Sequence, residues 1–251
     1  MAGGSRPPRG TGAGSSHLET SIPGVVLGVF AHPDDPEVAA GGTLARWARA
    51  GAEVHLCVVA RGDKGTSDPD ADLSALVETR RRETLEAGRV LGVAEHHWLD
   101  YPDGQVPDDE SLCARLVGLV RRVRPDAVVA PDPTAVFFGQ HYVNHRDHLR
   151  VGWAMLHALA PASANPHYYP EAGPPHQVAL VYLSGTLEPD VWVDVSETID
   201  AKAEAVACHA SQVGEPGEWL RTAMRDRAER AGREVAVDFA EAFRRLRLSP
   251  N

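Results

Sequence analysis

The chain alternates short apolar runs with longer amphipathic ones. Residues 25–31 (VVLGVFA), 54–60 (VHLCVVA), 127–130 (AVVA), 178–183 (VALVYL) and 191–195 (VWVDV) are valine-rich and too short for helices. They read as buried strands, with residues 97–99 a shorter one. Between them, apolar residues recur at helical spacing over 37–50, 73–91, 111–123, 145–159, 202–211 and 219–246. Gly51, Gly92 and Pro125 are natural stops for the first three helices. Strand and helix alternating at this spacing predict an α/β fold, a Rossmann-like three-layer sandwich with a mostly parallel sheet in a single domain. Residues 1–22, rich in Gly, Ser and Pro, read as a disordered tail, which leaves 23–251 as the domain.

Composition narrows the partners. At 251 residues and 43% hydrophobic, the chain can bury one sizeable core. The 35 acidic residues outnumber 25 basic ones, a net charge of -10 that argues against nucleic acid or an anionic membrane surface. No apolar run approaches the ~20 residues needed to span a bilayer. The first residues lack the apolar stretch of a secretory signal. Cys57, Cys113 and Cys208 are scattered, so buried thiols in a reducing cytoplasm are expected. A homo-oligomer stays open.

In open parallel sheets, ligands bind beyond the carboxyl ends of the strands. The first strand is followed at once by AHPDDPE (31–37), and the AVVA strand leads to NHRDH (144–148). Each residue alone has an ordinary role. Asp35 before Pro36 resembles a helix N-cap, and Asn144 with Asp147 resembles a capping box. Their conjunction says more. His145 and His148, three apart at a helix start, share a face about 5–6 Å apart. Two carboxylates and an imidazole opposite two further imidazoles form an accumulation that a metal ion explains.

These two motifs, with VARGDKGTSDP, RRRETLEAGRVLGV and its LDYPDG sequel, PDAVVAPDP, VWVDVSETIDAKAEAVACHASQ and FAEAFRR, resemble the LmbE-like (PIG-L) family of zinc-dependent de-N-acetylases. The resemblance runs over residues 25–246. Pro36 before Glu37 and Arg146 depart from the common pattern, neither at a position expected to bind metal. The likeness implies His32, Asp35 and His148 as ligands of Zn2+, with Fe2+ the other candidate. It implies Asp34 as general base and His145 as the acid that stabilises the oxyanion and protonates the leaving amine. Asp147 is expected to orient His145 and raise its pKa. On the substrate side it suggests Arg80 (otherwise an exposed helix cation), Asp103 (otherwise a turn residue) and Tyr142 (otherwise packing). His176 is expected to reach the site from the Pro-rich excursion of 161–175, and His209 to be structural.

An amide is a poor electrophile with a poor leaving group, so a base and an acid flanking a Lewis acid suit its hydrolysis. The expected reaction is removal of the N-acetyl group from an N-acetylglucosamine-type conjugate, with a small amino sugar as partner. Two alternatives remain. One is an amidase acting on a thiol-sugar conjugate or a natural-product intermediate. The other is a non-catalytic sugar- or nucleotide-binding module, against which the lack of G-x-G-x-x-G after the first strand speaks.

Overall fold

The valine-rich runs form strands because helices cover both of their faces. The computed structural model describes residues 17–214 and 218–248. Its strands are β1 (His17–Glu19), β2 (Val25–Phe30), β3 (Glu53–Ala60), β4 (Glu95–Tyr101) and β5 (Ala127–Pro131). A small hairpin, β6 (Phe137–Phe138) and β7 (Tyr142–Val143), precedes β8 (Leu180–Ser184), β9 (Val191–Asp194) and β10 (Ala240–Arg247). The helices are α1 (Asp35–Arg49), α2 (Leu73–Leu91), α3 (Glu110–Val123), α4 (Arg146–His157), α5 (Ile199–Ala207), α6 (Ala210–Val213) and α7 (Glu218–Arg233).

Apart from the hairpin, the strands make one eight-stranded sheet in the order β1-β9-β10-β8-β5-β2-β3-β4. Every pairing is parallel except those of β10. Side chains along β2 alternate between two cores. Leu27 and Val29 pack with Leu116 and Met155 of α3 and α4, whereas Val26 and Phe30 pack with Leu44 and Trp47 of α1. Trp47, Tyr182 and Phe243 pack against one another in the second core, tilted and edge-to-face, with centroids 5.2 and 5.9 Å apart. Each buried ring contributes about 1.5–3 kcal/mol by leaving water. Helices α2 and α5 pack beside α1 on this face, and α7 lies over α5 and β10. Among the described residues no helix is long and apolar enough to cross a membrane.

Two expectations are corrected. The helix expected over 219–246 stops at Arg233, and FAEAFRRLR is mostly β10. Ala240, Phe243 and Leu246 mimic a helical stripe, but β8 and β9 offer open backbone groups on both sides, and pairing with them decides the conformation. Glu241 then accepts from Gly42 N and Thr43 N of α1 at 3.1 and 2.8 Å and pairs with buried Lys202 of α5. His17–Glu19, inside the stretch read as tail, pairs with β9, and Glu19 accepts hydrogen bonds from Tyr182 and Arg245. Residues 1–16 lie outside the described residues. The Pro-rich excursion is held by buried Arg121 of α3, which donates to the carbonyls of Ala162, Ser163, Asn165, Tyr168, Tyr169 and Gly173.

Candidate metal centre and active site

The chain runs from β2 outward to β3 and β4, then returns to place β5 on the other side of β2. That reversal puts the exits of β2 and β5 side by side, and these exits carry the two motifs. After β2, His32 N donates to Asp35 Oδ2 at 2.8 Å, which tightens the turn into α1. The helix starts at Asp35, so Asp34 rather than Asp35 takes the N-cap position, and it makes no side-chain cap bond. Asp34 has φ 100, a left-handed conformation that costs a non-glycine residue about 1–2 kcal/mol. Both carboxylates are thereby free of ordinary capping work. At the other exit the N-cap of α4 is His145 and not Asn144; its Nδ1 accepts from Asp147 N at 3.2 Å.

Three atoms converge between the motifs. His32 Nδ1 lies 3.4 Å from Asp35 Oδ2 and 3.3 Å from His148 Nε2, and those last two are 3.2 Å apart. The hydrogen-bond partners assign their protons. Asn144 Nδ2 donates to Ala135 O, which turns its Oδ1 to accept from His148 Nδ1–H at 2.9 Å. His32 Nε2–H points at Asp103 Oδ1 and Asp147 Oδ2, 3.1 and 3.4 Å away. Both imidazoles therefore present bare lone pairs to each other and to a carboxylate oxygen. Such an arrangement is repulsive unless a positive charge, a metal ion or a proton, sits among them. A tetrahedral ion with bonds of about 2.0–2.1 Å sets its ligand atoms about 3.3–3.4 Å apart, which is the spacing found. The donor set, two nitrogens and one oxygen, fits a catalytic divalent metal with a position left open.

A second group, His32, Asp103, His145 and Asp147, adjoins the first through His32. Asp147 is fully buried, and its Oδ2 accepts from Gly104 N at 2.7 Å. Its carboxylate thus braces His32 and the YPDG turn, whereas His145 meets only its backbone N–H. The expected rise in the pKa of His145 is not found. Burial lowers it, and Asp147 and Asp103 oppose this only in part. Because Nδ1 accepts a backbone N–H, neutral His145 carries its proton on Nε2. Burial and then the charge of Asp35 push Asp34 up to about 6, with Arg80 opposing.

Comparison with known proteins agrees with this geometry. Residues 27–159 match the family described as PIG-L, GlcNAc-PI de-N-acetylase. The chain belongs to that family. The diacetylchitobiose deacetylase of Thermococcus kodakarensis is 30% identical over 194 residues, covering 76% of this chain and 70% of that protein. A 1D-myo-inositol 2-acetamido-2-deoxy-alpha-D-glucopyranoside deacetylase of Saccharopolyspora erythraea is 36% identical over 178 residues, covering 61% of this chain. That match spans 62% of the relative's length, less than two thirds. The solved N,N'-diacetylchitobiose deacetylase of Pyrococcus horikoshii has a TM-score of 0.81 at 28% identity, covering 90% of this chain and 84% of that one.

Within this PIG-L chain the remaining candidates separate. Arg80 is 3% exposed and lies beneath the His-Pro-Asp-Asp loop, donating to Pro33 O at 2.6 Å and Gly62 O at 3.0 Å, with Asp34 Oδ2 3.2 Å away. Gly62, at φ 69, admits it, since a Cβ there would lie 2.4 Å from the guanidinium. Asp103 does occupy a turn, but its carboxylate faces His32. Tyr142 is half exposed on the hairpin and lines a cavity of about 530 Å³ with Asp35 and His148. The expectation for His176 is corrected. It bonds Pro125 O at 2.8 Å, where β5 begins, and the site lies where β5 ends. His209 is buried against Glu37, 3.3 Å away. Sequence reasoning missed Asn144 as the partner of His148 and Arg80 as the anchor of the loop. Asn144 was visible four residues before His148, an ordinary hydrogen-bonding spacing on a helix; nothing in the sequence aimed Arg80 inward.

Proposed function

We propose that the protein hydrolyses the N-acetyl group of an N-acetylglucosamine-type conjugate, with His32, Asp35 and His148 holding Zn2+. The observation that carries this reading is the set of three facing lone-pair atoms flanked by the uncapped carboxylate of Asp34 and a proton-bearing imidazole on different loops. A divalent ion bound there supplies Lewis acidity, polarising the amide carbonyl and lowering the pKa of water to about 7. Asp34, next to a ligand yet uncommitted to a cap, takes the proton of the attacking water. His145 donates a hydrogen bond through Nε2–H to the developing oxyanion, and Asp34 passes the proton it took from water to the amine nitrogen as the C–N bond breaks. Water adds to the acyl carbon and the amine leaves with a proton, so acetate and a free amino sugar are the products. Asp147 and Asp103 hold His32 in the tautomer that frees Nδ1, and Asn144 does the same for His148 Nε2.

The binding-module alternative leaves the left-handed Asp34 without a purpose, because strain of this kind persists where it positions a reactive group. The relatives' substrates support an acetamido sugar over a larger amide. The test is acetate release from a panel of N-acetylglucosaminides by protein stripped with chelator and reloaded with Zn2+ or Fe2+. Zinc-dependent acetate is expected. Folded, zinc-loaded protein that releases none from any of them would overturn the proposal.

A further inference from the structure

The cavity beside the ligands has walls that the hydrolysis does not use. Asp35 and His148 are among its lining residues, so whatever fills it adjoins the proposed metal ligands. Phe30, Val38, Pro131 and Phe138 make its sides apolar, while Arg227 and Arg230 enter from α7. These arginines lie three apart on one helix face. Asp35, committed to the ion, is the single carboxylate among the described lining residues.

Arg225 pairs with Asp200, and Arg233 with Glu229 at 2.7 Å, whereas Arg227 and Arg230 have no salt bridge among the described residues. In a chain with 35 acidic and 25 basic residues, two neighbouring guanidiniums without carboxylates run against the overall balance. A neutral sugar needs no such pair. Planar guanidinium forks match a carboxylate or a phosphate. Resting on the deacetylase reading above, we infer that this cavity seats the aglycone of the substrate. Arg227 and Arg230 hold an anionic group, carboxylate or phosphate, carried by that aglycone.

The test uses three N-acetylglucosaminides with matched short alkyl aglycones ending in a carboxylate, a phosphate or a hydroxyl. Acetate release and calorimetric binding are followed for each with the zinc-loaded full chain and its R227Q/R230Q variant; both side chains are exposed, so folding is not at issue. The wild type is expected to prefer one or both anionic compounds, and the two arms distinguish carboxylate from phosphate. The variant should lose that preference, the anionic-to-neutral ratio of kcat/KM falling about tenfold or more, mostly through KM. Equal kcat/KM for all three compounds in the wild type, or a ratio unchanged in the variant, overturns the inference while leaving the deacetylase reading intact. Arginine-dependent binding of the anionic compounds without acetate release supports the subsite and sinks the hydrolase reading alone. Absence of both sinks both.

Discussion

Replacing Arg80 with methionine separates a buried anchor from a substrate clamp. The guanidinium makes two hydrogen bonds to carbonyls, Pro33 O at 2.6 Å and Gly62 O at 3.0 Å, and pairs with Asp34. Bonds from a charged donor are worth about 1.5–3 kcal/mol each, and a buried charge left without its partner costs about 3–5 kcal/mol. These contributions overlap, because the freed carbonyls and Asp34 relax together, so about 3–5 kcal/mol is the expected loss. For a domain of this size that lowers Tm by about 6–20 °C. The loop carrying Asp34 and Asp35 also loses its tether, so kcat should fall by more than KM rises. Lysine should rescue poorly, since a point charge cannot reach both carbonyls and the carboxylate in the geometry of the fork. Thermal unfolding of the zinc-loaded protein and steady-state acetate release measure the two effects. A Tm within about 2 °C of wild type, with KM raised about tenfold and kcat intact, would refute the anchoring argument and restore Arg80 as a clamp.

Asn144→Ala removes the acceptor that fixes the His148 tautomer, so zinc affinity should drop about 10–100-fold by chelator competition; unchanged affinity would show that the 2.9 Å bond is idle. Asp35→Asn should lose zinc by metal analysis, whereas Asp34→Asn should retain it and lose turnover; equal metal loss in both would mean that the adjacent carboxylates share the ion. Glu19→Gln tests the buried pair that ties β1 to β10. Burial raises the Glu19 pKa, but donors from Ser21, Arg245 and Tyr182 outweigh it and hold the group at about 2, against 4.5 unperturbed. A depressed carboxylate stabilises the fold above about pH 4.5 and loses that contribution as pH falls toward 2. The variant should therefore be less stable than wild type at pH 7, by about 1–3 kcal/mol in urea unfolding, and the gap should close in acid; a gap that persists at low pH would assign the effect to packing.

Much of the molecule was legible in the chain itself, and the legible parts are local. Residues 73–91 fold as the expected helix, stopped by Gly92 at φ 79, because periodicity, cap and stop lie within one segment. The residue types for a metal centre were likewise visible as two short motifs after strand-like runs. Their meeting was not visible, since His32 and His148 are 116 residues apart and come together only because β5 returns beside β2. The same distance hides the roles within the site. Asp147 looked like a partner for its neighbour His145, but the backbone of α4 aims its carboxylate at Gly104 and His32. Arg80 looked like one of three surface cations, yet the glycine turn at Gly62 gives it room to fold inward. β10 shows the limit most plainly. Its sequence suits a helix, and a strand forms because β8 and β9 leave unpaired backbone groups on both sides. Propensity differs between conformations by tenths of a kcal/mol per residue, whereas two ladders of hydrogen bonds and a buried Phe243 contribute several. Segments governed by their own neighbours in sequence were therefore readable, and those governed by partners a hundred or more residues away required the folded structure.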